Sequence, residues 1–343
     1  MSLTIVHNPN RDEIARTVQD FLRQLAEPTL LVVDGRDNSR CRAFSTLLHG
    51  NEPSGLRAVH GWLRRGELPR YRLLIFILSI SAALQEPMFT HRQLSGERDM
   101  NRCFRPPFGD RPGAVARKML ELLDDYHPEC LIDMHNTSGL NPAFGVATHE
   151  DPAHEALVAL FTRRLIITDI RLGALMEISR PDFPVVTVEC GGNRDPAADR
   201  IAAQGLEQFL HREQVLQPDA GLHMDLYHHP VRLELDRETV IRFADEPDPE
   251  ADITVPRHLE RYNFGQVGTG TFLFWLGPHG RARMRLRDAS GKDMLPRYFN
   301  CIGHCLYAAQ PIKLFMVTDN PVIARSDCLL YAAPESGHTL LDI

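Results

Sequence analysis

Four short motifs carry residue types that could do chemistry together. In STLLHGNEPSG an apolar run ends at His49, and Glu52 follows three residues later. An imidazole and a carboxylate at that spacing, on a turn or a first helical turn, project to one side of the backbone and suit two zinc ligands. A surface histidine beside a helix-start glutamate is the other reading of this pair. In ECLIDMHNTSG a second apolar run ends at His135, and Asp133 lies on the same side of the strand, placed to support the imidazole from behind. Two histidines and one glutamate make the three-ligand set of a catalytic zinc, with a fourth position left for water. In PVVTVECGG, Glu189 ends a β-branched run beside Gly191 and Gly192. A partly buried carboxylate there can act as general acid/base, or it can cap the helix that begins near Asp195. GERDMNRCF brings Asp99, Asn101 and Arg102 together, and a guanidinium beside an amide can fork a substrate carboxylate.

These residues need strand ends to carry them. Apolar runs at 30–34, 44–48, 73–78, 130–134 and 185–188 have the length of buried strands, and each ends at a polar or glycine-rich turn. Between them the 3.6-residue period predicts helices: one capped by Asn10 with Ile14, Val18, Phe21, Leu22 and Leu25 on one face, then 112–123, 153–165 and 195–210. The last has Asp195 as N-cap and Pro196 at its first position. Strands alternating with helices argue for an α/β sheet covered on both faces, where ligands gather at the carboxyl ends of strands. From about Pro218 the texture turns to short, alternating, turn-punctuated segments. The expectation is a catalytic α/β domain over residues 1–215 and a β-rich domain over 216–343.

Composition narrows the classes. With 38 basic and 45 acidic residues, the net charge of -7 has the wrong sign for a broad phosphate-binding surface, which argues against nucleic acid as partner. A few arginines can still make one pocket positive. The longest apolar stretch, Leu73 to Leu84, is 12 residues with two serines, short of the roughly 20 that a membrane helix needs. It reads as a strand followed by a loop. The first residues lack a basic segment followed by an apolar one, and the seven cysteines include no CxxC pair, so a reducing, cytoplasmic setting is expected. Apolar segments of the β-rich part leave a homo-oligomer open.

Taken in order, HGNEPSG, RDMNRCF, DMHNTSG and VTVECGG resemble the succinylglutamate desuccinylase/aspartoacylase family, relatives of the zinc carboxypeptidases. The resemblance runs over essentially the whole chain. It implies a zinc-carboxypeptidase-like mixed sheet flanked by helices with a C-terminal β-rich domain, one Zn2+ per chain, and hydrolysis of the amide bond of a small acidic N-acyl amino acid. Carried over by motif, His49, Glu52 and His135 look like the zinc ligands and Glu189 like the catalytic acid/base. Asn101 and Arg102 match a pair that binds a substrate carboxylate, with Asp99 in support. The family also places an arginine five residues before that aspartate to polarise the scissile carbonyl. Here the position is Leu94, which leaves Arg92 and Arg98 as replacements. A further family arginine, gripping the acyl-side carboxylate, finds its nearest match in Arg180, nine residues before Glu189. Two rivals share the same residues: a carboxypeptidase-like peptidase and a non-catalytic zinc-binding protein, the second disfavoured by an intact Glu189.

Overall fold

The computed structural model describes residues 3–137, 139, 141–169, 171–288 and 290–334. They form two compact units, and apart from two short stretches the chain passes into the second at Asp225–Leu226.

The first unit is built on strands β1 (Thr4–His7), β2 (Thr29–Val33), β3 (Asp37–Thr46), β4 (Tyr71–Ile77), β5 (Leu131–Thr137), β6 (Phe144–Ala147), β7 (Arg164–Ile167), whose last two residues fall in the second unit, and β8 (Val185–Gly192). Seven of them lie in the order β1-β2-β4-β3-β5-β8-β6. The sheet is mixed: β4, β3, β5 and β8 are parallel neighbours, while β2 and β6 run antiparallel to β4 and β8. The central strands β4 and β5 are buried almost throughout on both faces, as cover by helices demands, with β4 nearly all apolar and the polar residues of β5 gathered toward its carboxyl end. Helices α1 (Val18–Leu25), α2 (Ser54–Arg65), α3 (Ile80–Leu84), α4 (Arg111–Tyr126), α5 (Pro152–Ala159) and α6 (Pro196–His211) supply that cover. On one face Val115, Met119 and Leu122 of α4 join a core with Leu30, Val32, Leu74, Phe76 and Leu131. On the other, Phe209 of α6 meets Phe44 at 6.5 Å between ring centroids, and Gly55 of α2 lies against Thr46 and Met134. A side chain at Gly55 would overlap both.

Three sequence expectations need correction. Asn10 caps only a 3-10 turn, Arg11–Glu13, because Ile14 is extended (φ -67°, ψ 120°); α1 starts later. Thr17 is its true cap, accepting from Asp20 N–H and donating to the Asp20 carboxylate, a reciprocal cap that the Asn10 reading overlooked. The helix expected over 153–165 stops at Ala159, and Arg164–Ile167 is a strand, as its Leu-Ile-Ile run favours. The loop expected after Leu78 contains the short helix α3. The helix α6 and its Asp195 cap, which accepts from Ala197 N–H, match the reading.

The second unit is β-rich. One five-stranded sheet joins, in order, Gly265–Val267, Ile312–Phe315, Leu330–Pro334, Val231–Leu235 and Met284–Arg287; the other joins Ile241–Phe243, Ile253–Val255, Phe272–Leu276, Cys305–Ala308 and Phe299–Ile302. Their inward residues, among them Leu233, Ile253, Phe274, Leu286, Leu306 and Leu314, form one core. Among the described residues no helix is long and apolar enough to cross a membrane.

Candidate active site

The parallel strands β3, β5 and β8 end at the same edge of the sheet, and their ends carry the motif residues. After β3 the chain turns sharply at Leu47, a buried residue held at φ 58°, a left-handed conformation uncommon for leucine and costly without surrounding support. Support comes from Ser79, whose N–H and hydroxyl donate to the carbonyls of Leu47 and Leu48 at 2.7 and 2.6 Å. Gly50 then passes so close to the backbone of Ala83 and His91 that a Cβ would sit 2.6 Å from each. Glycine is therefore required there. The result turns His49 and Glu52 inward at the start of α2.

Glu52 is the hub. Its Oε1 lies 2.8 Å from His49 Nδ1 and its Oε2 lies 2.7 Å from His135 Nδ1. The two imidazole rings stand 4.9 Å apart edge to face. Each far nitrogen meets a carboxylate: His49 Nε2 is 2.9 Å from Asp99 Oδ1, and His135 Nε2 is 2.8 Å from Asp133 Oδ2. All three members of the trio are buried, and their donor atoms fall within 4.8 Å of one another, near enough to hold one metal ion. Two imidazole nitrogens with one carboxylate are the donors that zinc takes, and a carboxylate behind each histidine is how such ligands are held. Among the described residues a second trio, Glu67, Glu207 and His211, also brings three donors together, but it lies at the surface and Arg65 already pairs with both of its carboxylates.

The charges polarise one another. Burial alone would push the Glu52 carboxyl up, but the imidazoles of His49 and His135 outweigh it and hold the group well below the ordinary carboxylate range. Burial likewise works against ionised Asp99, yet His49, Arg92 and Arg102 keep it ionised. His135 resists protonation through burial and is nonetheless raised well above the usual imidazole value by Asp133 and Glu52. Glu189 goes the other way. Burial pushes its carboxyl up to about 7, against the pull of His135 and with the repulsion of Glu52. Its Oε2 is buried and has no hydrogen-bond partner, although such atoms are ordinarily paired.

The structure thus gathers His49, Glu52, His135, Asp99, Asp133 and Glu189 at one end of the sheet. It also brings Arg92 there, with Nε and Nη2 on Asp99 Oδ2 at 3.1 and 2.8 Å and Nη1 3.4 Å from Glu52 Oε1. Arg98 is drawn elsewhere, onto Asp110 and the Pro107 carbonyl. Asp99 caps the short turn Met100–Arg102. In that turn Asn101 is buried with its side-chain oxygen accepting from Leu175 N–H at 2.9 Å, and Arg102 reaches the Asn101 carbonyl at 2.7 Å. Arg180 is not brought to the cluster. It precedes β8, at the opposite end from Glu189, where it lies over the Phe183 ring and 3.5 Å from Asp182. The sequence reading passed over Asn136, whose backbone N–H donates to Glu52 Oε2 at 3.2 Å. Its place directly after His135 at a strand end was the available signal.

No protein-family model matches the chain, and no curated protein matches it in sequence. Solved structures do. The succinylglutamate desuccinylase/aspartoacylase from Rhodobacter sphaeroides is similar with a TM-score of 0.57 at 16% identity, over 90% of this chain and 88% of that one. The succinylglutamate desuccinylase from Vibrio cholerae gives 0.56 at 14%, over 94% and 95%. Murine aminoacylase 3 gives 0.52 at 18%, over 87% and 96%. The chain has the fold of the succinylglutamate desuccinylase/aspartoacylase family.

Proposed function

We propose that this protein is a zinc-dependent hydrolase that cleaves the amide bond of a small acidic N-acyl amino acid. The observation that carries the reading is the meeting of a two-histidine, one-glutamate donor set with a buried, unpartnered carboxylate oxygen, Glu189 Oε2, on the strand beside His135. His49, Glu52 and His135 would hold the metal, which, when bound, supplies Lewis acidity that polarises a carbonyl and makes water acidic near neutral pH. Glu189 does the proton work. A carboxyl poised near 7 can accept a proton from the attacking water at Oε2 and return it to the departing amine nitrogen, so one group serves as base and then as acid. Arg92 and Arg102 supply the positive charge that an acidic substrate and a developing oxyanion need, within a protein of net charge -7. The solved relatives are named as desuccinylase, aspartoacylase and aminoacylase, which agrees with this reaction class. A reducing, cytoplasmic setting is proposed separately, from cysteines that are free rather than paired.

The test is a screen of zinc-loaded protein over N-acetyl, N-formyl and N-succinyl amino acids, with a C-terminal peptide panel beside it. Turnover of an acidic N-acyl amino acid that is abolished by a chelator and restored by zinc is expected. Turnover confined to peptides would make it a carboxypeptidase-like enzyme, and turnover of none would overturn the proposal.

A further inference from the structure

Asn136 follows His135 on β5 and is 3% exposed. It stands at an irregularity in the sheet: His135 pairs with Glu189 and Thr137 with Gly192, so Asn136 alone faces Cys190 and Gly191 of β8. This is a β-bulge, and Gly191 adopts the φ of 113° that it needs. Every polar hydrogen of Asn136 is used. Its backbone N–H donates to Glu52 Oε2 at 3.2 Å, and its Nδ2 donates to the Gly191 carbonyl at 3.0 Å and to Ser54 Oγ at 2.9 Å. Its Oδ1 accepts from Ser54 N–H at 3.0 Å.

That last bond is a helix cap supplied from another element. Ser54 opens α2, its N-cap residue is Pro53, and Pro53 offers no side-chain cap. The amide cannot be reversed, because its oxygen would then face the Gly191 carbonyl and its NH2 the Ser54 N–H. The same orientation is enforced from outside. Ser54 Oγ donates to Asp199 Oδ1 at 2.7 Å and so must accept from Asn136, while Arg57 holds both oxygens of Asp199 at 3.1 and 2.9 Å.

We propose that Asn136 is the positioning residue of the site: through one amide it ties the start of α2, just after Glu52, to the bulge just after Glu189, and so sets the separation of the metal-facing and proton-transferring carboxylates. Ser54 and Asp199 keep that amide in its single working orientation. The role in catalysis rests on the hydrolase reading above, but the clamp itself is a property of the metal-free protein.

The experiment compares Asn136→Ala, Asp199→Asn and Ser54→Thr with the unmodified chain by three readouts. In metal-free protein, hydrogen exchange at Ser54 N–H is expected to quicken by about tenfold or more in Asn136→Ala and to stay near its original rate in Ser54→Thr, which keeps the hydroxyl. Zinc affinity, measured by chelator competition, is expected to weaken by about 10–100-fold in Asn136→Ala, the usual scale for outer support of metal ligands. Its kcat is expected to fall by about tenfold or more with KM within about twofold, since substrate contacts are untouched. Asp199→Asn, at the half-exposed end of the relay, moves all three in the same direction by less, and it decides the matter if Asn136→Ala does not fold. Unchanged exchange and zinc affinity in Asn136→Ala or Asp199→Asn would overturn the proposal, as would a rise in KM alone. A wild-type chain that binds no zinc would refute the hydrolase, while the exchange comparison would still pass or fail the clamp.

Discussion

His135 and Glu189 stand directly opposite each other in register on the neighbouring parallel strands β5 and β8. In a parallel pair such residues project to the same side, so the imidazole of the buried His-Glu-His trio and a carboxyl raised to about 7 share one small volume at the strand ends. Two residues that are ordinary strand termini when read singly face one another because the sheet aligns them, and the proposed roles of metal donor and proton carrier follow from that register.

Glu189→Gln keeps the size and removes the titrating oxygen. It should retain a full equivalent of zinc by metal analysis while kcat falls by about 10²–10⁴-fold, the range for loss of a general acid/base. Full activity in that variant would remove Glu189 from the proton-transfer role.

Asp133 is wholly buried and bonds the far nitrogen of His135. Asp133→Asn should weaken zinc by about 10–100-fold in chelator competition, with His135→Ala bringing bound zinc well below one equivalent. Unaltered affinity in both would mean that His135 does not hold the metal.

The raised carboxyl of Glu189 gives a signed pH dependence to the metal-free protein. Its folded value of about 7 lies above its ordinary 4.5, so its contribution to stability is complete below about 4.5 and is lost as pH rises through 7. Glu189→Gln escapes this loss. Relative to the unmodified protein it should gain roughly 1–3 kcal/mol between pH 5 and pH 8, as followed by denaturant unfolding of the metal-free forms. A gain that is the same at both pH values would show that Glu189 titrates normally.

Arginine substitutions separate the gathered positions from the distant one. Arg102→Ala should raise KM for an acidic substrate by about tenfold or more, the scale of a lost charge-assisted hydrogen bond, with a smaller effect on kcat. Arg180→Ala, at the far end of β8, should leave both constants within about twofold of their original values. The reverse pattern in steady-state kinetics would relocate the carboxylate pocket.

Much of this site is legible along the chain because its parts are local. An apolar run dictates a buried strand, and the polar residue that ends it is delivered to a sheet edge; that logic suffices to nominate His49, His135 and Glu189. Asp133 follows from strand alternation, and the cap of α6 from Asp195 and Pro196. Local patterns misled where two nearby signals competed, as when Thr17 rather than Asn10 began α1, or when a helical period at 153–159 ran into a β-favouring segment.

The sequence by itself determined which donors exist and that strand ends would present them. Only the tertiary structure decided that Nδ1 of both histidines turns to Glu52, that Arg92 joins Asp99 while Arg98 goes to Asp110, that Arg180 stays at the other end of β8, and that Asn136 bridges Glu52 to the bulge after Glu189. The reason is physical. Strand and helix periods are set by neighbours a few residues apart, whereas these choices depend on strand order, register and the path of turns such as the one at Leu47, where groups far apart along the chain compete for the same partners.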